Sequence, residues 1–151
     1  MPLKTFATND VLAAADLNNG PYSDAVTADV VTSQTTTSLS YTDLSTVGPA
    51  VTLTLANGQG CLVVISARMN HSAAGGQSSL ASFAVTGATS LSANDANSIE
   101  TQVLGVGGTT CTRVSWFVAG ATGSHTFTMK YQVQAGGTGT YYNRRIVVKK
   151  F

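Results

Sequence analysis

The chain has 151 residues and a net charge of +1, and only 10% of its side chains are charged, against roughly 25% in ordinary soluble domains. That length gives one domain, or one domain with an arm, and enough chain to bury a core. No apolar run approaches the ~20 residues of a membrane-spanning helix, and the start lacks the charged-then-apolar pattern of a secretory leader.

Hydroxyls and small side chains replace the missing charges, so little like-charge repulsion opposes association with a neighbour. The charges present are unevenly placed. Residues 1–60 hold Lys4 against five aspartates, while residues 61–151 hold seven Lys and Arg against Asp95 and Glu100. An acidic arm can thereby be steered onto a basic body, of the same chain or of a neighbour, or both ends can simply be solvated.

Taken in order, Met1–Asn19 is the one helix candidate. Thr8 or Asn9 can cap it, Val11, Leu12, Ala15 and Leu17 give it an apolar side, and Asn18-Asn19-Gly20-Pro21 stops it. So short a helix is marginal alone and must dock on something, which makes residues 1–20 an attachment arm. Tyr22–Thr37 reads as a linker or an extended edge strand. A strand is expected over Thr36–Tyr41 and another over Val51–Leu55, where Val51, Leu53 and Leu55 alternate with threonines.

The Asn57-Gly58 turn signal predicts a hairpin from Val51–Leu55 to Cys61–Met69. That second strand is the best defined in the chain. Cys61, Val63, Ile65, Ala67 and Met69 take one face; Leu62, Val64, Ser66 and Arg68 take the other. A face that begins apolar and ends in Arg68 implies a strand covered by something at one end.

Strands follow over Leu80–Thr86, with Phe83 and Val85 inward, and over Ser98–Gly105. Cys111–Ala119 sets Val114, Trp116 and Val118 on one face, with Trp116 read as buried, and Arg113, Ser115 and Phe117 on the other. His125–Gln134 turns Phe127, Met129, Tyr131 and Val133 inward, and Tyr141–Phe151 runs as a strand through Ile146 and Val148. Turn signals every 8–12 residues are those of a sandwich or jelly roll. The expectation is an all-β fold: an antiparallel β-sandwich, jelly-roll-like, with a short N-terminal helical or extended arm. Residues 1–32 form the docking arm and linker, and residues 33–151 the sandwich domain.

Reaction centres are not legible. Glu100 is the sole glutamate, and Asp95 with Glu100 is the only carboxylate pair worth weighing for acid–base hydrolysis. His71, read in a polar loop, and His125, at a turn edge, lack metal-ligand spacing to Cys61 or Cys111. A disulfide between those cysteines needs their strands adjacent; otherwise they are two buried thiols. No metal, cofactor or catalytic residue is assigned. Arg144, Arg145, Lys149 and Lys150 make the C-terminal strand basic. They alternate across it instead of lining one groove, which favours a subunit or neighbour contact over nucleic acid. Tyr141 and Tyr142 are the candidate glycan contacts.

Thr5-Phe6-Ala7 followed by Asp10-Val11-Leu12-Ala13-Ala14-Ala15-Asp16-Leu17-Asn18 is similar to the opening of many tailed-bacteriophage structural proteins. Those commonly begin with a T-F-x-x-G-[ED]-V-L-T-A-A-D-L-N segment. Here Asn9 stands where Gly is usual and Ala13 where Thr is usual, which removes a Thr-x-x-Asp capping box. The body resembles the β-sandwich modules of phage minor tail and head-surface proteins. The matching pieces are Thr37–Leu44, Gly48–Val51, Val64–Met69, Phe83–Thr89 and Asn143–Ile146.

The resemblance implies a non-enzymatic virion component, often a homotrimer, on the particle surface and assembled in the host cytoplasm. Capsid decoration or a head fibre is the first expectation; a minor tail or tail-fibre protein, or a host-surface carbohydrate-binding module, is the alternative. The implied partners are copies of itself, the major capsid or tail protein, and a host glycan. Phe6, Val11, Leu12 and Leu17 are the expected docking residues of the arm.

Overall fold

The computed structural model describes residues 25–72, 77–102 and 107–151. Within them, two antiparallel sheets pack face to face. Sheet A runs in the order β1 (Ala25–Val30), β9 (Gly139–Lys150), β4 (Gly60–His71), β7 (Thr109–Val118). A short β2 (Gln34–Thr36) extends the pairing of β1 along β9. Sheet B runs β3 (Ala50–Leu55), β8 (Gly123–Val133), β5 (Ser79–Gly87), β6 (Ile99–Thr101). Apart from β1–β2 and β5–β6, each strand is followed by one in the opposite sheet. That winding is the jelly-roll-like sandwich that the turn spacing predicts.

The predicted hairpin does not form. β3 pairs with β8, and β4 pairs with β9 and β7. The Asn57-Gly58 turn instead carries the chain between sheets, with Gly58 at φ +76° and its N–H donating to Ala119 O at 2.8 Å. Turn residues specify a reversal, and the same reversal serves a hairpin or a crossing. The strand expected over Thr36–Tyr41 reduces to the end of β2, and Thr42 makes a single bridge to Tyr131. Of Ser98–Gly105 only Ile99–Thr101 is a strand among the described residues.

β1 lies inside the stretch read as arm and linker, yet it pairs with β9 from Ala25↔Lys149 to Val30↔Arg144. Among the described residues the sandwich thus already includes Ala25–Val30. The predicted helix and the docking residues Phe6, Val11, Leu12 and Leu17 lie outside the described residues.

The core fills the space between sheets, as strand alternation demands. From sheet A come Cys61, Val63, Ile65, Ala67, Met69, Phe117, Tyr141, Ile146 and Val148; from sheet B come Val51, Leu55, Phe83, Val85, Phe127, Met129 and Tyr131. Ring pairs bridge the sheets. Phe117 meets Phe127 edge-on at 5.2 Å and His125 edge-on at 5.9 Å, and Tyr131 meets Tyr141 at 4.9 Å. Such pairs add about 1 kcal/mol each beyond their burial.

β9 changes parity part-way along. Ser66 pairs with Arg145 and Arg68 with Tyr142, so Asn143 and Arg144 together stand against Ala67 in a β-bulge. Asn143 takes φ +48°, the left-handed region that Asn tolerates better than most residues. Tyr141 points inward before the bulge; Arg144, Ile146 and Val148 do so after it. Uninterrupted alternation from Tyr141 would have turned Ile146 and Val148 to the outside.

Candidate functional site

The bulge decides the fate of the basic strand. Arg144, expected as a contact residue, is fully buried. Its guanidinium donates to Gly48 O at 3.2 Å and Gln34 Oε1 at 2.9 Å, and lies 5.3 Å from the centroid of Tyr131. Tyr141 is fully buried too, its hydroxyl donating to Gln132 O, so it offers no face to a glycan. Tyr142 is half-buried beneath the Arg68 guanidinium, 5.2 Å from its centroid. Arg145 remains outside, paired with Asp29. Lys149 reaches over Phe151 at 5.2 Å, and Lys150 is half-exposed.

A second correction concerns β7. Trp116 is not in the core: it is 58% exposed, with Val114 at 57% and Val118 at 50%. Ser115 and Phe117 take the buried face. The alternation was legible, but both faces carry an aromatic residue, and only the register with β4 says which one turns inward. Leu62 pairs with Trp116 and Val64 with Val114, and these two β4 residues lie on its outer face.

The outer face of sheet A is therefore built in rows. Ala25, Lys149, Leu62 and Trp116 form one cross-strand row, and Thr27, Val147, Val64 and Val114 the next. Phe151 closes the apolar end, 5.6 Å from the Trp116 ring. The following row, Asp29, Arg145, Ser66 and Thr112, is polar, with Thr112 Oγ1 donating to Ser66 Oγ at 3.0 Å. The outer face of sheet B differs throughout. Thr52 and Thr126 hydroxyls meet at 2.8 Å, and Lys130 forks onto both Asp43 oxygens at 2.7 Å.

Over sheet B lies an open depression of about 490 Å³, lined by Leu39, Tyr41, Ser92, Lys130 and Gln132 among others. Beside it, Asp95 Oδ1 accepts from the Tyr41 hydroxyl at 2.8 Å and from Gln132 Nε2 at 3.2 Å. Burial and the Asp95 hydrogen bond push the Tyr41 hydroxyl well above its ordinary pKa. Glu100, the other candidate acid, lies in β6 and accepts from Ser78 Oγ, just before β5.

Both histidines are buried, not in loops or at turn edges as read from sequence. His71 ends β4, and His125 holds Gly123 O at 2.9 Å through Nδ1. Among the described residues no three His, Cys, Asp or Glu side chains cluster as metal ligands. Cys61 and Cys111 are free thiols. Cys111 registers with Ala67, six residues along β4 from Cys61, about 20 Å at strand rise. Burial raises the Cys61 thiol from its ordinary 9.0 to about 11.

These features define an all-β two-sheet sandwich with one apolar outer face. The chain matches no protein-family model, and a search of curated proteins returns no relative.

Proposed function

We propose that the protein is a non-enzymatic structural component of a bacteriophage particle, displayed on its outer surface, with capsid decoration or a head fibre ahead of a tail component. The observation that carries the reading is the apolar end of sheet A, where Val114, Trp116, Val118 and Phe151 are exposed beside half-buried Leu62 and Val64, on a chain with so few charges. Large apolar patches on a soluble domain mark surfaces that are covered in use. The resemblance of residues 5–18 to phage structural proteins supplies the particle, and in this reading those residues are the anchor. Mixing the full chain, and residues 25–151 alone, with undecorated particles tests this. Binding by the full chain alone is expected; equal occupancy by both removes the arm as anchor, and binding by neither removes the particle reading.

A second reading, a host-glycan module, moves from the Tyr141–Tyr142 pair to the depression beside Tyr41. Its mixture of an aromatic wall, Ser92, Lys130 and Gln132 is chemistry that suits sugar hydroxyls. Adsorption to host cells unchanged by Gln132→Ala and Ser92→Ala together would end it.

A further inference from the structure

The outer face of sheet A needs an occupant, and we infer that it is a second copy of this chain, seated over Trp116; this rests on the structural-protein reading above. Three observations favour a copy over another partner.

Charge is the first. The face carries one ion pair, Asp29 with Arg145, and two further cations, Arg68 and Lys149. That is too few and too scattered a set of bases to hold nucleic acid or an anionic membrane, whereas an apolar patch needs no opposite charge and complements itself across a symmetry axis. With a net charge of +1, two copies meet without overall repulsion.

Area is the second. Four strands spaced about 4.8 Å apart and about ten residues long cover about 600 Å². That is close to the about 800 Å² that each partner gives to an interface of standard size. The apolar rows occupy one half of that face, and the polar row with Arg68 borders them on one side.

The third is the contrast between faces. Threonines and the Lys130–Asp43 pair solvate the outside of sheet B, so the apolar rows of sheet A are not a general trait of the chain. Trp116 stands between Val114 and Val118 on β7 as a large, rigid side chain, the kind that anchors interfaces. The basic end keeps only a rim role, since Arg144 is inside the sandwich.

Trp116 is the chain's single tryptophan, so its fluorescence reports this face without any substitution. A dilution series of the full chain, followed by light scattering and by Trp emission together, tests the inference. We expect a dimer or trimer that falls to single-chain mass on dilution, with emission shifting to the red over the same range. Trp116→Lys should be single-chain at every concentration with its far-ultraviolet spectrum intact. Thr54→Lys on the outer face of sheet B should assemble as the parent does. Should Trp116→Lys unfold, the emission series on the parent alone decides. An oligomer whose emission does not move on dissociation, or that Trp116→Lys leaves intact, associates through another surface. This overturns the inference while leaving self-association standing. A chain that is single at all concentrations overturns both.

Discussion

The guanidinium of Arg144 stacks 5.3 Å above the ring of Tyr131, and both groups hydrogen-bond the same carbonyl oxygen, that of Gly48. One buried cation thus ties β9 to β8 and to the loop entering β3. Through Gln34 Oε1 it also holds β2, whose side chain in turn reaches Thr46. No carboxylate pairs with it among the described residues; carbonyl dipoles and a ring face do that work.

Truncating this residue leaves acceptors without a donor as well as a void. Arg144→Ala is therefore expected to cost about 3 kcal/mol or more in urea unfolding. Arg144→Lys should recover less than half, because an ammonium lacks the planar fork that reaches both acceptors. A loss within ordinary surface values, under about 0.5 kcal/mol, would show that the guanidinium is not part of the framework.

Asn143 is what brings Arg144 inside, since its left-handed φ of +48° accommodates the extra residue of the bulge. Asn143→Gly is expected to be neutral or slightly stabilising, and Asn143→Val to lose about 1–2 kcal/mol. Melting temperatures of the two variants check the order. If Val were tolerated as well as Gly, the backbone there would not be left-handed in solution.

Much of this architecture is written in alternation. Phe127, Met129, Tyr131 and Val133 are all buried as their spacing says, and so are Cys61, Val63, Ile65, Ala67 and Met69. The outer face of β4 passes from Leu62 and Val64 to Arg68, as its alternation says. Three things were hidden because they depend on pairing and not on pattern. The Asn57-Gly58 turn does not say which sheet receives the next strand. A single bulge residue inverts the parity of β9 and so exchanges the fates of Arg144 and Arg145. On β7, Trp116 and Phe117 have equal claims to the core until the register with β4 decides between them.

Gly60 opens β4 directly beneath the Trp116 ring, and a Cβ there would run into ring atom Cζ2. Gly60→Ala should push the indole off its seat while leaving the inner core untouched. The expected result is a near-parental melting temperature with altered Trp emission and easier quenching by acrylamide. Unchanged emission would mean that the ring already stands away from the sheet.

Stability at alkaline pH should follow the buried thiol and phenols. Burial raises Cys61 from 9.0 to about 11 and lifts Tyr131 and Tyr141 above their ordinary 10.0. A raised acid holds its proton longer in the folded chain than in the unfolded one. Above the unfolded value, the unfolded state has therefore released a proton that the native state retains, and stability falls as pH rises. The stabilising contribution of Cys61 is complete below about pH 9 and disappears between there and about pH 11. The tyrosines add a steeper fall once pH passes 10.0. Melting temperature should thus be level up to about pH 9 and decline beyond it. In Cys61→Ala, whose melting point is lower throughout, the decline should be shallower beyond about pH 9, because Cys111, also raised by burial, and the tyrosines remain. A parent curve flat past about pH 10.5 would mean that these groups ionise in the native protein as freely as in the unfolded chain, and that the interior between the sheets is open to water.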